Sequence, residues 1–140
     1  MKINMVEDAK HLNGYENVGF ANLEDLNKVC EDGEAIELIA DDILGKIPGP
    51  SVQVYLSQWL KKIRLGGKII LTGLDIYDSI RSFNSNLINI TDLNVLLYGE
   101  NRRSVLGAND IVTALKLSGF KIIKNNLINL KYLIVAERIS

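Results

Sequence analysis

The sequence predicts an α/β domain built in three layers around a mainly parallel sheet that ends in an antiparallel hairpin. Three observations carry this. Short apolar runs alternate with segments of helical periodicity along the 140 residues. The run "KIILTGLD" (68–75) is continuously apolar and follows an amphipathic segment, as expected of a strand covered on both faces. The chain then closes on two strand-like runs, "KIIKN" and "LKYLIVAER", with Asn125 and Asn126 at the expected turn.

Lys2 to Met5 reads as a short strand, Asn13-Gly14 as a turn, and Tyr15 to Phe20 as a second strand. Asn22 suits the N-cap of a helix that places Leu23 and Leu26 on one face. "AIELIA" (35–40) is apolar enough for a buried strand, although its Glu and Leu also suit a helix. The Gly and Pro of "DDILGKIPGP" mark a loop, and Ser51 is placed to cap the helix carrying Tyr55, Leu56, Trp59, Leu60 and Ile63. Lys61, Lys62 and Arg64 suit its last turn, where cations meet the negative end of the helix dipole. Gly66-Gly67 is expected to end it before the central strand. A loop and short helix follow over 74–83. Thr91 then caps "DLNVLLYG", "ENRRSVLG" forms an exposed loop, and Asn109 or Asp110 opens the last helix, which stops at Gly119.

At this length one domain spanning 1–140 is expected, with roughly two thirds of the unfolded surface buried. Sixteen basic against seventeen acidic residues argue against a general nucleic-acid footprint. The single cysteine, Cys30, excludes an internal disulfide and fits a reducing, cytoplasmic setting. One Cys and one His, His11, leave no structural zinc set within a chain. No leader pattern opens the sequence and no apolar run reaches the roughly 18 residues that span a bilayer. The sequon at Asn89 to Thr91 is then a chance match.

The stretch "SVQVYLSQWLKKIRLGGKIILTGLD" (51–75) resembles the later part of class I S-adenosylmethionine-dependent methyltransferases, where a helix ends in a Leu-(Lys/Arg)-Pro-Gly-Gly turn before a central strand. Leu65 stands where proline is usual. "SGFKII" and "LKYLIVAER" resemble that family's last helix and final two strands, and "LLYGE" (96–100) a segment of its small members. Those members begin with a pattern like Leu-Asn-Leu-Gly-Cys-Gly, then Pro-Gly-Tyr, then Asn-Val-Asp. This chain reads Ile3-Asn4-Met5-Val6-Glu7-Asp8, then Asn13-Gly14-Tyr15, then Asn17-Val18-Gly19. The resemblance implies a Rossmann-like methyltransferase fold and a cofactor cleft at Met5, Val6, Glu7, Asp8, Gly19, Asp41 and Asp42.

The same comparison exposes departures. Glycines in the first turn would let main chain approach the cofactor, because glycine lacks a Cβ and tolerates positive φ. Val6 and Asp8 replace them, and Val6 is β-branched and stiff. Gly19 replaces the acidic residue that would accept hydrogen bonds from the ribose hydroxyls. After the next strand, Ile36-Glu37-Leu38, Asp42 and Gly45-Lys46 replace the usual Asp-Glu-Ile, His and Glu-His. Each lost contact is worth roughly 1–3 kcal/mol when a buried group goes unpaired. Every 1.4 kcal/mol is about tenfold in affinity.

These departures favour a methyltransferase-like binding or assembly module with a degenerate cofactor site and no bound cofactor. Its partner would be another protein or a second copy, with "LINLKYLIVAERI" offering an exposed strand edge. The alternative is a small active methyltransferase that binds S-adenosylmethionine through rearranged contacts. A third reading places another small ligand in the same crevice. Asp41-Asp42, with Glu7 and Asp8, would form an acidic pocket, or else a solvated loop and helix cap. Asp75 and Tyr77 would face the crevice or shape a loop. His11 reads as a turn residue, Cys30 as helix packing, and Arg102-Arg103 as a solvated face. No catalytic residue is assigned.

Overall fold

The computed structural model describes residues 1–7 and 11–140. Asp8, one of the expected cleft residues, lies outside them.

A six-stranded sheet runs in the order β2-β1-β3-β4-β6-β5. Its strands are β1 (Lys2–Val6), β2 (Glu16–Gly19), β3 (Ala35–Asp41), β4 (Ile63–Leu74), β5 (Phe120–Ile128) and β6 (Lys131–Arg138). β1 pairs in parallel with β2 and β3, and β3 with β4. β6 runs antiparallel to both β4 and β5. The mainly parallel sheet and C-terminal hairpin are as expected. β6 is internal, so the exposed edge belongs to β5 and not to the "LKYLIVAER" strand.

The helices are α1 (Leu23–Val29), α2 (Val52–Lys62), α3 (Ile76–Asn84), α4 (Ile90–Tyr98) and α5 (Ala108–Leu117). Asn22 caps α1 by accepting from Glu24 N at 3.0 Å. α2 buries Leu56, Trp59 and Leu60, worth roughly 1.5–3 kcal/mol for each large apolar side chain. Asn89, not Thr91, caps α4, through a capping box with Asp92. Ser51 makes no capping bond, because a 3-10 turn at Gly49–Ser51 runs directly into α2.

The Gly-Gly turn falls elsewhere than expected. α2 stops at Lys62 and β4 begins at Ile63, so Arg64, Gly66 and Gly67 lie inside the strand. The Ala35 to Glu37 segment of β3 opposes Ile63 to Lys68 with a register shift. The extra residues are absorbed at Gly66, whose φ is +80°, and at Gly67, where a Cβ would meet Ala35 O at 3.0 Å. The hairpin turn is also displaced. Asn125 and Asn126 lie within β5, and the chain reverses at Asn129 and Leu130, both at positive φ.

The core lies on one face of the sheet. The register aligns Ile3, Leu38, Ile69 and Ala136 in one buried row and Met5, Ala40, Leu71 and Ile134 in the next. Against these rows pack Leu26 of α1, Leu56 and Trp59 of α2, and Ile111 and Leu115 of α5. The opposite face carries Glu37, Ile39, Lys68, Ile70, Leu133, Val135 and Glu137, all exposed or half-buried and none in the core cluster. A parallel crossover that carries a helix needs about a dozen or more residues. The β1–β2 link is only residues 7–15. The helices that reach the core, α1, α2 and α5, all pack on the first face, so among the described residues the third layer expected from the sequence is not formed by a core helix.

Candidate functional site

The chain leaves β1 towards β2 on one side and returns to β3 on the other. Such a reversal opens a crevice at the carboxyl ends of the strands. A cleft of about 460 Å³ lies there, lined among others by Asn4, Val6, Glu7, Asp41, Asp42 and Lys46. A second hollow of about 430 Å³, beside Phe20 and Tyr55, shares Glu7 and Lys46 with it.

Val6 continues β1 straight through the position where a glycine turn is expected. It pairs with Gly19, and its carbonyl accepts from Phe20 N at 3.2 Å. Met5 and Val6 are both buried. Glu7 follows at the boundary between the two hollows. Lys46 Nζ stands 2.6 Å from its carboxylate, and Asn101 Nδ2 donates to it at 3.0 Å. The loop after β3 and the loop after α4 thus converge on the Glu7 side chain, just past Val6.

Gly19 ends β2 with no side-chain acceptor. A Cβ built there would have Asp25 Oδ2 at 3.9 Å. The Asp25 carboxylate, in the first turn of α1, therefore stands beside the position from which an acidic side chain would project. Sequence reasoning missed Asp25. Its only signal is an acidic residue in the first turn of a capped helix, which serves the helix dipole equally well.

Asp41 and Asp42 diverge. Asp41 is exposed and accepts from Thr72 Oγ1 at 2.5 Å. Asp42 has φ +55°, its N–H donates to Thr72 O at 3.0 Å, and its carboxylate turns to Arg102 at 3.5 Å. Burial pushes the Asp42 carboxyl above the usual carboxylate range, against the pull of Arg102 and Lys131. Asp42 does not cap the following 3-10 turn (Leu44–Lys46), whose N-cap is Ile43. Arg102 is not part of a solvated face. Its side chain is 7% exposed, lies 3.5 Å from Glu100, and donates to the carbonyl of Leu96 at 2.9 Å.

The expected acidic pocket is thus a set of compensated charges, Glu7 with Lys46 and Asp42 with Arg102. Among the described residues, no group of three His, Cys, Asp or Glu side chains is placed to hold a metal ion. His11 is exposed at the cleft. Cys30 is buried, its thiol donates to Glu31 O at 3.3 Å, and burial pushes its pKa up. Asp75 takes the loop-shaping role. It is 2% exposed, and its two carboxylate oxygens accept from Asp78 N at 2.9 Å and Ala108 N at 2.8 Å. Tyr77 donates to Asp110 at 3.0 Å, tying α3 to α5.

No protein-family model matches the chain, and no curated protein does. Solved structures do. An O-methyltransferase family protein from Burkholderia thailandensis superposes with a TM-score of 0.63 at 16% identity, over 90% of this chain and 36% of that one. Magnesium protoporphyrin IX methyltransferase from Synechocystis, solved with bound SAH, gives 0.58 at 15% identity, over 89% and 50%. A structure of the Haloferax volcanii Trm112 methyltransferase activator with a putative methyltransferase gives 0.64 at 7% identity, over 99% and 82%. The chain thus spans only about a third to a half of the first two. None of the helices is long and apolar enough to cross a membrane among the described residues. At these identities the likeness is one of fold, and the chain carries the class I methyltransferase-like fold in a small and divergent form.

Proposed function

We propose that this chain is a methyltransferase-like binding or assembly module whose cofactor site is degenerate. The observation that carries the reading is the Glu7 carboxylate, held by Lys46 at 2.6 Å and Asn101 at 3.0 Å. A cofactor carboxylate arriving beside β1 would meet a negative side chain already bonded to the nearest cation. Displacing that pair costs a charge-assisted contact, about 1.5–3 kcal/mol. Gly19 returns no ribose contact of its own. The Trm112 activator complex among the similar folds shows a domain of this shape in a protein assembly, which favours a protein partner here too.

Calorimetric titration with S-adenosylmethionine and with S-adenosylhomocysteine tests the reading. The expected result is no heat of binding through about 500 μM ligand, which corresponds to a Kd of about 1 mM or weaker and a binding free energy no stronger than about −4.1 kcal/mol. Micromolar affinity for either overturns it.

A second reading rests on a different observation. The cleft of about 460 Å³ falls within the usual range for small-ligand sites, and Asp25, outside its lining, stands beside Gly19 at the end of β2. In an active enzyme with rearranged contacts, Asp25 would take the ribose hydroxyls. Cofactor-induced thermal stabilisation that disappears in Asp25→Ala establishes this alternative.

A further inference from the structure

The face of the sheet turned away from the core has an ordered charge pattern. Strand register places Lys2, Glu37, Lys68, Glu137 and Lys121 side by side across β1, β3, β4, β6 and β5. The signs alternate at every strand. The neighbouring row on the same face carries Ile39, Ile70 and Val135 between Asn4 and Lys124, and Leu133 follows between Thr72 and Asn126. These apolar side chains are half-buried, while Lys68 and Lys121 are exposed. Alternating signs across adjacent strands stabilise a sheet modestly, but an apolar stripe beside them has no use within the domain.

We propose that this face is a homodimer interface, in which two copies meet face to face about a two-fold axis lying between β4 and β6. The charge row points to a second copy and to an axis between strands, and Tyr15 selects the gap. A row of alternating signs matches its own rotated copy only when the axis falls between strands, since an axis on a strand sets like charges together. The axis between β4 and β6 sets Lys68 against the partner's Glu137 and Glu37 against the partner's Lys121. It also sets Ile70 against the partner's Val135. The β1 side is already occupied by Tyr15, whose ring lies 5.6 Å from Lys2 Nζ and whose hydroxyl donates to Glu37. Among the described residues, β4, β6, β5 and β3 beyond the Tyr15–Glu37 contact are left open, and these four strands are centred on the proposed axis.

Four strands at about 4.8 Å and the Lys68–Leu74 stretch at about 3.3 Å per residue give roughly 440 Å² of flat face per copy. The total, near 900 Å², lies below the roughly 1,200–2,000 Å² of stable specific interfaces and in the range of weak, transient ones, so the expected dimer is reversible. The face adjoins the cofactor cleft at Ile39, which lines both, so sedimentation is run without ligand to test the interface and ligand titration tests the cleft.

The test is analytical ultracentrifugation from about 5 to 500 μM, at low and high salt. The wild-type chain should pass from monomer to dimer with concentration, and dimerisation should weaken in high salt. Lys68→Glu and Glu137→Lys should each weaken dimerisation at least tenfold, because each creates two like-charge contacts. Mixed in equal amounts, the two variants should pair with each other, since both contacts then become opposite in sign. The mixing result cannot arise from misfolding, and thermal melts of each variant establish that both are folded. A wild-type chain that stays monomeric throughout overturns the proposal. So does dimerisation untouched by either variant, or a mixture of folded variants that stays monomeric.

Discussion

Asp75→Ala is the sharpest test of how the carboxyl end of the sheet is held together. Asp75 is 2% exposed at the junction of β4 and α3. One carboxylate oxygen caps α3 by accepting from Asp78 N at 2.9 Å, and the other accepts from Ala108 N at 2.8 Å, the first residue of α5. Truncation removes an N-cap, worth about 1 kcal/mol. It also leaves the N–H of Ala108, a residue 5% exposed, without its acceptor, at about 1–3 kcal/mol. The sum is about 2–4 kcal/mol, and near 4 °C of melting temperature per kcal/mol a fall of roughly 8–16 °C follows. Asp75→Asn keeps one acceptor oxygen and should lose about half as much. Urea denaturation followed by circular dichroism measures both. A loss below about 0.5 kcal/mol in Asp75→Ala would refute the double-capping account. Normal stability with altered ligand binding would return Asp75 to the crevice chemistry.

Three further outcomes are expected. Arg102→Met strands the Asp42 carboxylate in a half-closed site and should cost about 2–4 kcal/mol in urea denaturation, with Asp42→Asn in the same chain recovering most of it. Asp32, 2.8 Å from the buried Lys62 ammonium, has its pKa held below the ordinary 3.8 by that hydrogen bond and charge. The unfolded chain then binds the extra proton. This stabilisation is therefore complete above about pH 4 and lost as pH falls through the lower folded value, and Asp32→Asn should flatten the acid limb of a stability–pH curve. Leu130 occupies the hairpin turn at φ +68°, a conformation that penalises any side chain with a Cβ. Leu130→Gly should raise the thermal midpoint, with a gain of about 1 kcal/mol, and an unchanged or lower midpoint would contradict the turn geometry.

The strands were legible because their apolar runs match a buried face. "KIILTGLD" reads as β4 whatever surrounds it, and Asn22 caps α1 through a bond two residues away. Boundaries set by long-range pairing were not legible. Gly66-Gly67 looks like a helix stop, yet pairing of Ile63 with Ala35 draws the strand back over it. The turn at Asn129 and Leu130 displaces the Asn125-Asn126 signal because the register of β5 against β6 carries those residues past each other.

The site divides in the same way. The succession of strands and helices and the loss of the glycine turn were legible, since both follow from residue type at successive positions. Which charges meet depends on the folded chain. Lys46 reaches Glu7, Arg102 closes on Asp42 from sixty residues further on, and Asp25 comes up beside Gly19. Electrostatic energy depends on separation in space, and a linear order of residues carries that separation only where the chain is locally regular. The alternating row on the open face shows the point most plainly. Its charges are scattered from Lys2 to Glu137, and only strand register brings them into line.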